Sequence, residues 1–115
     1  MTENKKTVQN YMDGFVAGDH DEILSCLADN VSWFIPGAFS ITGKEAFKKE
    51  INNENFEGLP GIKVTRMVEE NDIVIAEGIV QCKMKNGGFL DAFFCDVFHM
   101  ESGKIRHLTS YLMNK

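Results

Sequence analysis

The chain is poor in the features that announce a specialised class. Among 115 residues there are two prolines, one tryptophan, three histidines and three cysteines. Cys26, Cys82 and Cys95 are odd in number, follow no CxxC spacing and fall in apolar contexts, which speaks against a disulfide framework or a zinc site and for reduced core thiols. No metal-ligand cluster and no phosphate-cradling glycine motif occurs, so neither metal nor cofactor is expected. Basic residues number 12 against 17 acidic, a net charge of -5, and apart from Lys5-Lys6 and Lys48-Lys49 they are scattered. That argues against nucleic acid and anionic membrane surfaces as partners. No run approaches transmembrane length, and the polar start Met1-Thr2-Glu3-Asn4-Lys5-Lys6 is followed by no apolar signal region, which leads to the expectation of a cytoplasmic protein.

What is present is an ordinary globular balance, 43% hydrophobic and 25% charged, in a length suited to one domain spanning 1–115. Helical periods fill the first half and strand periods the second, the mark of an α+β fold. Val8, Tyr11, Met12 and Phe15 share one face of a helix from about Asn4 to Ala17, which Gly18 can end. Asp19 and Glu22 make a capping box for a short helix to about Ala28 that buries Ile23, Leu24 and Leu27. Val31 to Ile35 reads as a strand stopped by Pro36-Gly37, and Thr42-Gly43-Lys44-Glu45 opens a helix carrying Phe47 and Ile51. Asn52 to Gly61 reads as a loop or lid with Phe56 and Leu59 tucked under it. A strand from Ile62 to Glu69 and three hairpin-linked strands complete the chain.

Asp96 carries the strongest functional signal. It sits in Ala92-Phe93-Phe94-Cys95-Asp96-Val97-Phe98, a run expected to be a buried strand, where an ionised group must be paired, hydrogen-bonded or driven neutral. Asn86-Gly87 is the preferred pair for a two-residue type I′ loop, which sets Glu77 opposite Asp96; a Gly87-Gly88 loop keeps the two on one face. Glu101-Ser102-Gly103 as a three-residue loop sets Asp96 opposite Leu108. The Asp96 face then holds Phe94, Phe98 and Met100, with Leu108, Ser110 and Leu112 on one side and Ile75, Glu77 and Ile79 on the other. With Asn71-Asp72 as a turn, Arg66 comes opposite Glu77, and a polar row Arg66-Glu77-Asp96 crosses an apolar face. Such a row is either an acid and base pair in a pocket or a structural network.

Val8-Gln9-Asn10-Tyr11 leading to Ala17-Gly18-Asp19, a Trp-bearing strand stopped by Pro-Gly, a helix led by Gly43, and Asp96-Val97-Phe98 running into Gly103-Lys104-Ile105 together resemble the NTF2-like superfamily, within it the SnoaL-like and ketosteroid-isomerase-like branch. The resemblance covers nearly the whole chain and implies a cone: a curved antiparallel sheet wrapped around a long N-terminal helix, with one apolar pocket, as a homodimer. In ketosteroid isomerases a tyrosine on the first helix and a protonated aspartic acid on the third long strand form an oxyanion hole. Tyr11 and Asp96 match those positions. The family's general base corresponds to Ile35, which cannot abstract a proton and argues against steroid isomerase activity itself.

The expected site therefore comprises Asp96, Tyr11 and Glu77 as chemical groups. Phe15, Trp33, Ile35, Phe39, Phe47, Ile79, Phe94, Phe98, Leu108, Ser110 and Leu112 are expected as pocket lining. Tyr11 needs a partner for its hydroxyl, and Asp96 is the one at hand. His99 and His107 fall on the strand parity opposite Asp96 and His20 at an exposed helix start, so no histidine is expected in the site. Val74, Ala76, Val80, Cys82, Met84, Phe93, Cys95, Val97 and Tyr111 are expected on the other face, too apolar for water and so a dimer interface. The functions in view are a cofactor-independent isomerase, cyclase or dehydratase acting on a small apolar carbonyl compound, a noncatalytic module binding a hydrophobic metabolite, and a structural dimerisation domain.

Overall fold

The computed structural model describes residues 2–51 and 56–115. The order is α1 (Glu3–Ala17), α2 (His20–Ser25), β1 (Leu27–Ile35), β2 (Phe39–Thr42), α3 (Lys44–Ile51), β3 (Phe56–Glu70), β4 (Ile73–Met84), β5 (Phe89–Glu101) and β6 (Lys104–Asn114). The strands form one curved, unclosed sheet in the order β2-β1-β6-β5-β4-β3. This is the α+β architecture expected, with one difference: β1 runs parallel to β6, while every other pair is antiparallel.

Local chemistry accounts for the helical half. The Thr2 side chain accepts from the Lys5 amide at the start of α1, and Gly18, at φ 70°, ends it in the left-handed conformation. Asp19 caps α2 by accepting from the Glu22 amide. The buried stripe Val8, Tyr11 and Met12 turns α1 toward the inner face of the sheet. Helix α2 stops at Ser25 rather than running to Ala28, because the Cys26 carbonyl accepts from the Ile105 amide and Leu27 already pairs with Ile105. Strand pairing captures these residues against their helical propensity.

Two segments depart from expectation beyond that. Phe39–Thr42 forms a short strand, β2, returning on β1 through the Pro36-Gly37-Ala38 turn. The proposed loop over Asn52 to Gly61 lies partly outside the described residues, and from Phe56 onward it is strand. β3 is an edge strand, where Pro60 costs no ladder bond. Its register shifts between Glu57 and Gly61, and Leu59 is not tucked away: it is 59% exposed and rests against Gly18.

The hairpins decide which face each residue takes. Asn71 and Asp72, both at positive φ, make a two-residue turn and bring Arg66 opposite Glu77, as expected. The β4–β5 connection differs. Asn86 is not at positive φ, so a type I′ pair is excluded; Gly87 alone is left-handed, and Met84 and Gly88 close a three-residue loop. Glu77 therefore faces Cys95, and Ala76 faces Asp96. A one-residue slip inverts a strand. Val74, Ala76, Gly78, Val80 and Cys82 accordingly point inward, while Ile75, Glu77 and Ile79 point outward, the reverse of the sequence expectation. At β5–β6 the loop is Ser102-Gly103, but an irregularity between His99 and Met100 restores parity, and Asp96 faces Ser110 instead of Leu108.

The core lies between the sheet's inner face and the helices, with Val8, Ile23, Val31, Phe47, Val74, Phe98, Ile105 and Leu108 fully buried. Gly78 is a point of closest approach: a Cβ there would collide with the Lys63 carbonyl and stand 2.8 Å from the Phe94 ring. Gly78→Ala should therefore lower stability by about 1–3 kcal/mol or more, since neither a ladder carbonyl nor a packed ring can yield freely. Urea denaturation measures this, and an unchanged midpoint would contradict the packing described.

Candidate functional site

The concave side of the sheet is incompletely filled. A cavity of about 650 Å³ opens between α1, α2, α3 and the inner faces of β1, β3, β4, β5 and β6. From β4 the cavity is lined by Val80 and Cys82, while Ala76 and Gly78 pack directly opposite Asp96 and Phe94. Apolar walls come from Phe15, Trp33, Ile35, Phe39, Phe94 and Leu112, all expected, together with Met12, Ile23, Ile51, Leu59, Ile62, Val80 and Leu90.

Asp96 stands in this wall, 9% exposed. Its ladder neighbours are Ala76 and Ser110, and none of the salt bridges among the described residues involves it. Burial pushes its carboxyl up to about 7, and a hydrogen bond with the Ser110 side chain acts the other way. Ser110 Oγ also accepts from Trp33 Nε1 at 3.0 Å. The acid is thus attached to a short polar chain across three strands, β5, β6 and β1, with no cation to hold its charge.

Tyr11 also lines the cavity and is 2% exposed, its ring edge-on to Phe15, Phe47 and Phe98 at 5.0, 6.2 and 5.5 Å. No hydrogen bond joins it to Asp96. Burial, and then the Asp96 charge, push its hydroxyl well above the usual tyrosine range, so it remains a neutral donor. Trp33 is held by stacking on Phe47 at 4.5 Å and by the edge of Phe39 at 5.2 Å.

Several expected residues take other places. Glu77 lies on the outer face, bound to Arg66, with Arg66 Nη2 2.5 Å from Glu77 Oε1; the three-residue loop puts it there, and no polar row reaches Asp96. Ile79 turns outward with it. Phe47, Phe98 and Leu108 are fully buried and support the lining from behind. His99 and His107 do face each other on the outer surface, their rings 5.6 Å apart. His20 and Glu50 were missed and lie on the cavity wall. His20 follows the Asp19 cap and only the docking of α2 turns it inward; Val80 and Cys82 follow from the corrected parity of β4, and Leu90 from the parity it shares with Asp96 on β5. No group of three or more metal-binding side chains occurs among the described residues.

The model of the SnoaL-like domain matches residues 8–108, and the chain belongs to that family, within the NTF2-like superfamily. No curated protein matches it in sequence. Among solved structures it is similar to an epoxide hydrolase of the LEH-like type from M. tuberculosis, with 17% identity, coverage of 96% of this chain and 83% of that one, and a TM-score of 0.85. It is similar to TerC co-crystallised with polyporic acid, with 18% identity, coverage of 97% and 92%, and a TM-score of 0.87. A protein with a ketosteroid isomerase-like fold from Catenulispora acidiphila, in complex with trimethylamine, gives 11% identity, coverage of 91% and 83%, and a TM-score of 0.81. At these identities the likeness establishes the fold.

The raised Asp96 pKa has a consequence for stability. The unfolded carboxyl titrates near its usual 3.8 and the folded one near 7, so the folded state holds the extra proton between those values and stability falls as pH rises through that interval. Asp96→Asn lacks this loss. It should match wild type near pH 4 and exceed it at pH 8, by at most about 4 kcal/mol for a shift of some three units. Denaturation at the two pH values is the check, and a variant that loses stability at pH 8 would contradict the assignment.

Proposed function

We propose that the cavity binds a small, apolar, carbonyl-bearing molecule, and that the neutral Asp96 carboxyl donates a hydrogen bond to its carbonyl oxygen with Tyr11 as a second donor. The observation that carries this reading is a buried carboxyl with no cation partner in the wall of an apolar cavity. A donor so placed stabilises negative charge developing on an oxygen, the requirement of enolisation in isomerases, cyclases and dehydratases. The base expected at Glu77 is on the far face, and Ile35 occupies the family's base position on the cavity wall. That favours, as a second reading, capture of a hydrophobic metabolite without turnover.

The apolar outer face supports self-association. Phe93, Tyr111 and Met113 are 53, 52 and 72% exposed, beside Cys95 and Val97; Val74, Ala76, Val80 and Cys82, expected there, are inside. The proposed partner is a second copy of this chain. The three free cysteines support a reducing, cytoplasmic setting.

β-Ionone, an apolar enone, provides a test with Trp33, the single tryptophan, as fluorescent reporter. Its affinity should fall about tenfold or more between pH 5.5 and 8.5 as Asp96 ionises, because only the neutral fraction donates. Asp96→Asn should bind without that pH dependence. Binding that strengthens with pH, or no binding at either pH, would overturn the carbonyl reading. Conversion of a β,γ-unsaturated ketone to its conjugated isomer, followed by ultraviolet absorbance, separates an enzyme from a binder.

A further inference from the structure

The charge inventory of the cavity is one-sided. Asp96 and Glu50 are its carboxylic acids, His20 is the one side chain of basic type, and no lysine or arginine lines it among the described residues. The remaining wall is largely apolar, and the rings of Tyr11, Phe15, Trp33, Phe39 and Phe94 contribute to it. A carboxyl nine-tenths buried, without a cation of its own, in the same cavity wall as five aromatic rings offers the two kinds of contact a hydrophobic cation takes. The rings attract positive charge through their quadrupoles, and the carboxylate supplies the counter-charge.

We propose that the cavity takes a small hydrophobic ammonium ion, a tertiary or quaternary alkylammonium, with its charge paired to the Asp96 carboxylate and its alkyl groups against the aromatic wall. This shares the cavity with the carbonyl reading but requires the opposite ionisation of Asp96. When the ligand carries a fixed positive charge, Asp96 must give up its proton to solvent, one proton for each ion bound where the acid is otherwise neutral. When the ligand arrives as a neutral tertiary amine, that proton passes from the Asp96 oxygen to the amine nitrogen and none is released. The groups facing Asp96 are Tyr11 from α1, Ala76 from β4 and Ser110 from β6, with Cys95 beside it on the outer face. Burial holds the Tyr11 hydroxyl and the Cys95 thiol above their ordinary ranges, so neither supplies a titration between pH 5.5 and 8. His20 and Glu50 lie elsewhere on the wall; His20→Gln controls for the first, and retention of the pH dependence in Asp96→Asn would point to the second and overturn the proposal.

Benzyltrimethylammonium and its uncharged carbon isostere, neopentylbenzene, are the probes, read by Trp33 fluorescence. The ion should bind about tenfold or more tightly at pH 8 than at pH 5.5, while the isostere binds equally at both. Asp96→Asn should remove the pH dependence for the ion, and His20→Gln should retain it. Calorimetry of wild type at pH 6 in buffers of different ionisation heat should show close to one proton released per ion, a readout independent of any variant's folding. The proposal is overturned if ion and isostere bind alike, if neither binds, if the ion binds no more tightly at pH 8, if no proton is released, or if His20→Gln abolishes the effect. The carbonyl reading is judged separately: β-ionone and the quaternary ion depend on pH in opposite senses, so either can fail alone.

Discussion

The pairing of β5 with its two neighbours governs the chemistry of this molecule. β5 lies near the middle of the sheet, bonded to β4 along one edge and β6 along the other, and these registers send its even-numbered residues Phe94, Asp96, Phe98 and Met100 toward the helices. Side chains alternate with period two, so this one parity sets the Asp96 carboxyl in the cavity and the Phe93 ring in solvent together. Had β5 been displaced by a single residue, the acid would be hydrated on the surface and Cys95 would face α1. The inward acid follows from hydrogen-bonded ladders on both sides of it.

The cavity and the acid depend on one another. A sheet that curves around one helix leaves space that the helix does not fill, and the cavity opens there between the helices and the inner face of the sheet. Behind the wall the space is closed: Phe47 and Phe98 are fully buried and fix the rings of Trp33 and Tyr11. Removing Asp96 from water without a cation disfavours its charged form, and burial outweighs the opposing hydrogen bond from Ser110. The result is a carboxyl in the wall of an apolar cavity whose burial pushes it up to about 7. Arg66 plays no part, because its ion pair with Glu77 is half-solvated on the other face, where such pairs contribute little to stability.

Much of this was legible in the chain, and the exceptions have physical causes. The caps at Asp19 and Gly18 act locally, and α1 with its buried stripe could be read from spacing alone, though its Thr2 cap was not. The inward placement of Asp96 and Tyr11, and the outward placement of His99 and His107, also followed from pattern. The β4–β5 hairpin did not. Asn86-Gly87 can be the centre of a type I′ turn or the last two residues of a three-residue loop, and the two differ by one residue, which carried Glu77 and Ile79 to the wrong face. At β5–β6 a turn one residue shorter than expected and an irregularity at His99/Met100 compensated each other, so the face was right although the partner was Ser110 and not Leu108. β2 is four residues of mixed polarity stabilised by β1, with little signal of its own, and His20 reaches the cavity only through tertiary docking.

Everything proposed for the cavity depends on Asp96 being a neutral acid at mildly acidic to neutral pH. The most direct measurement is a carboxyl-detected NMR titration of the wild-type protein, with Asp96→Asn to assign the resonance. A midpoint near 7 is expected, set by burial with no cation alongside. A midpoint at about 4, the ordinary aspartate value, would show a solvated or ion-paired carboxylate and contradict the account of the site.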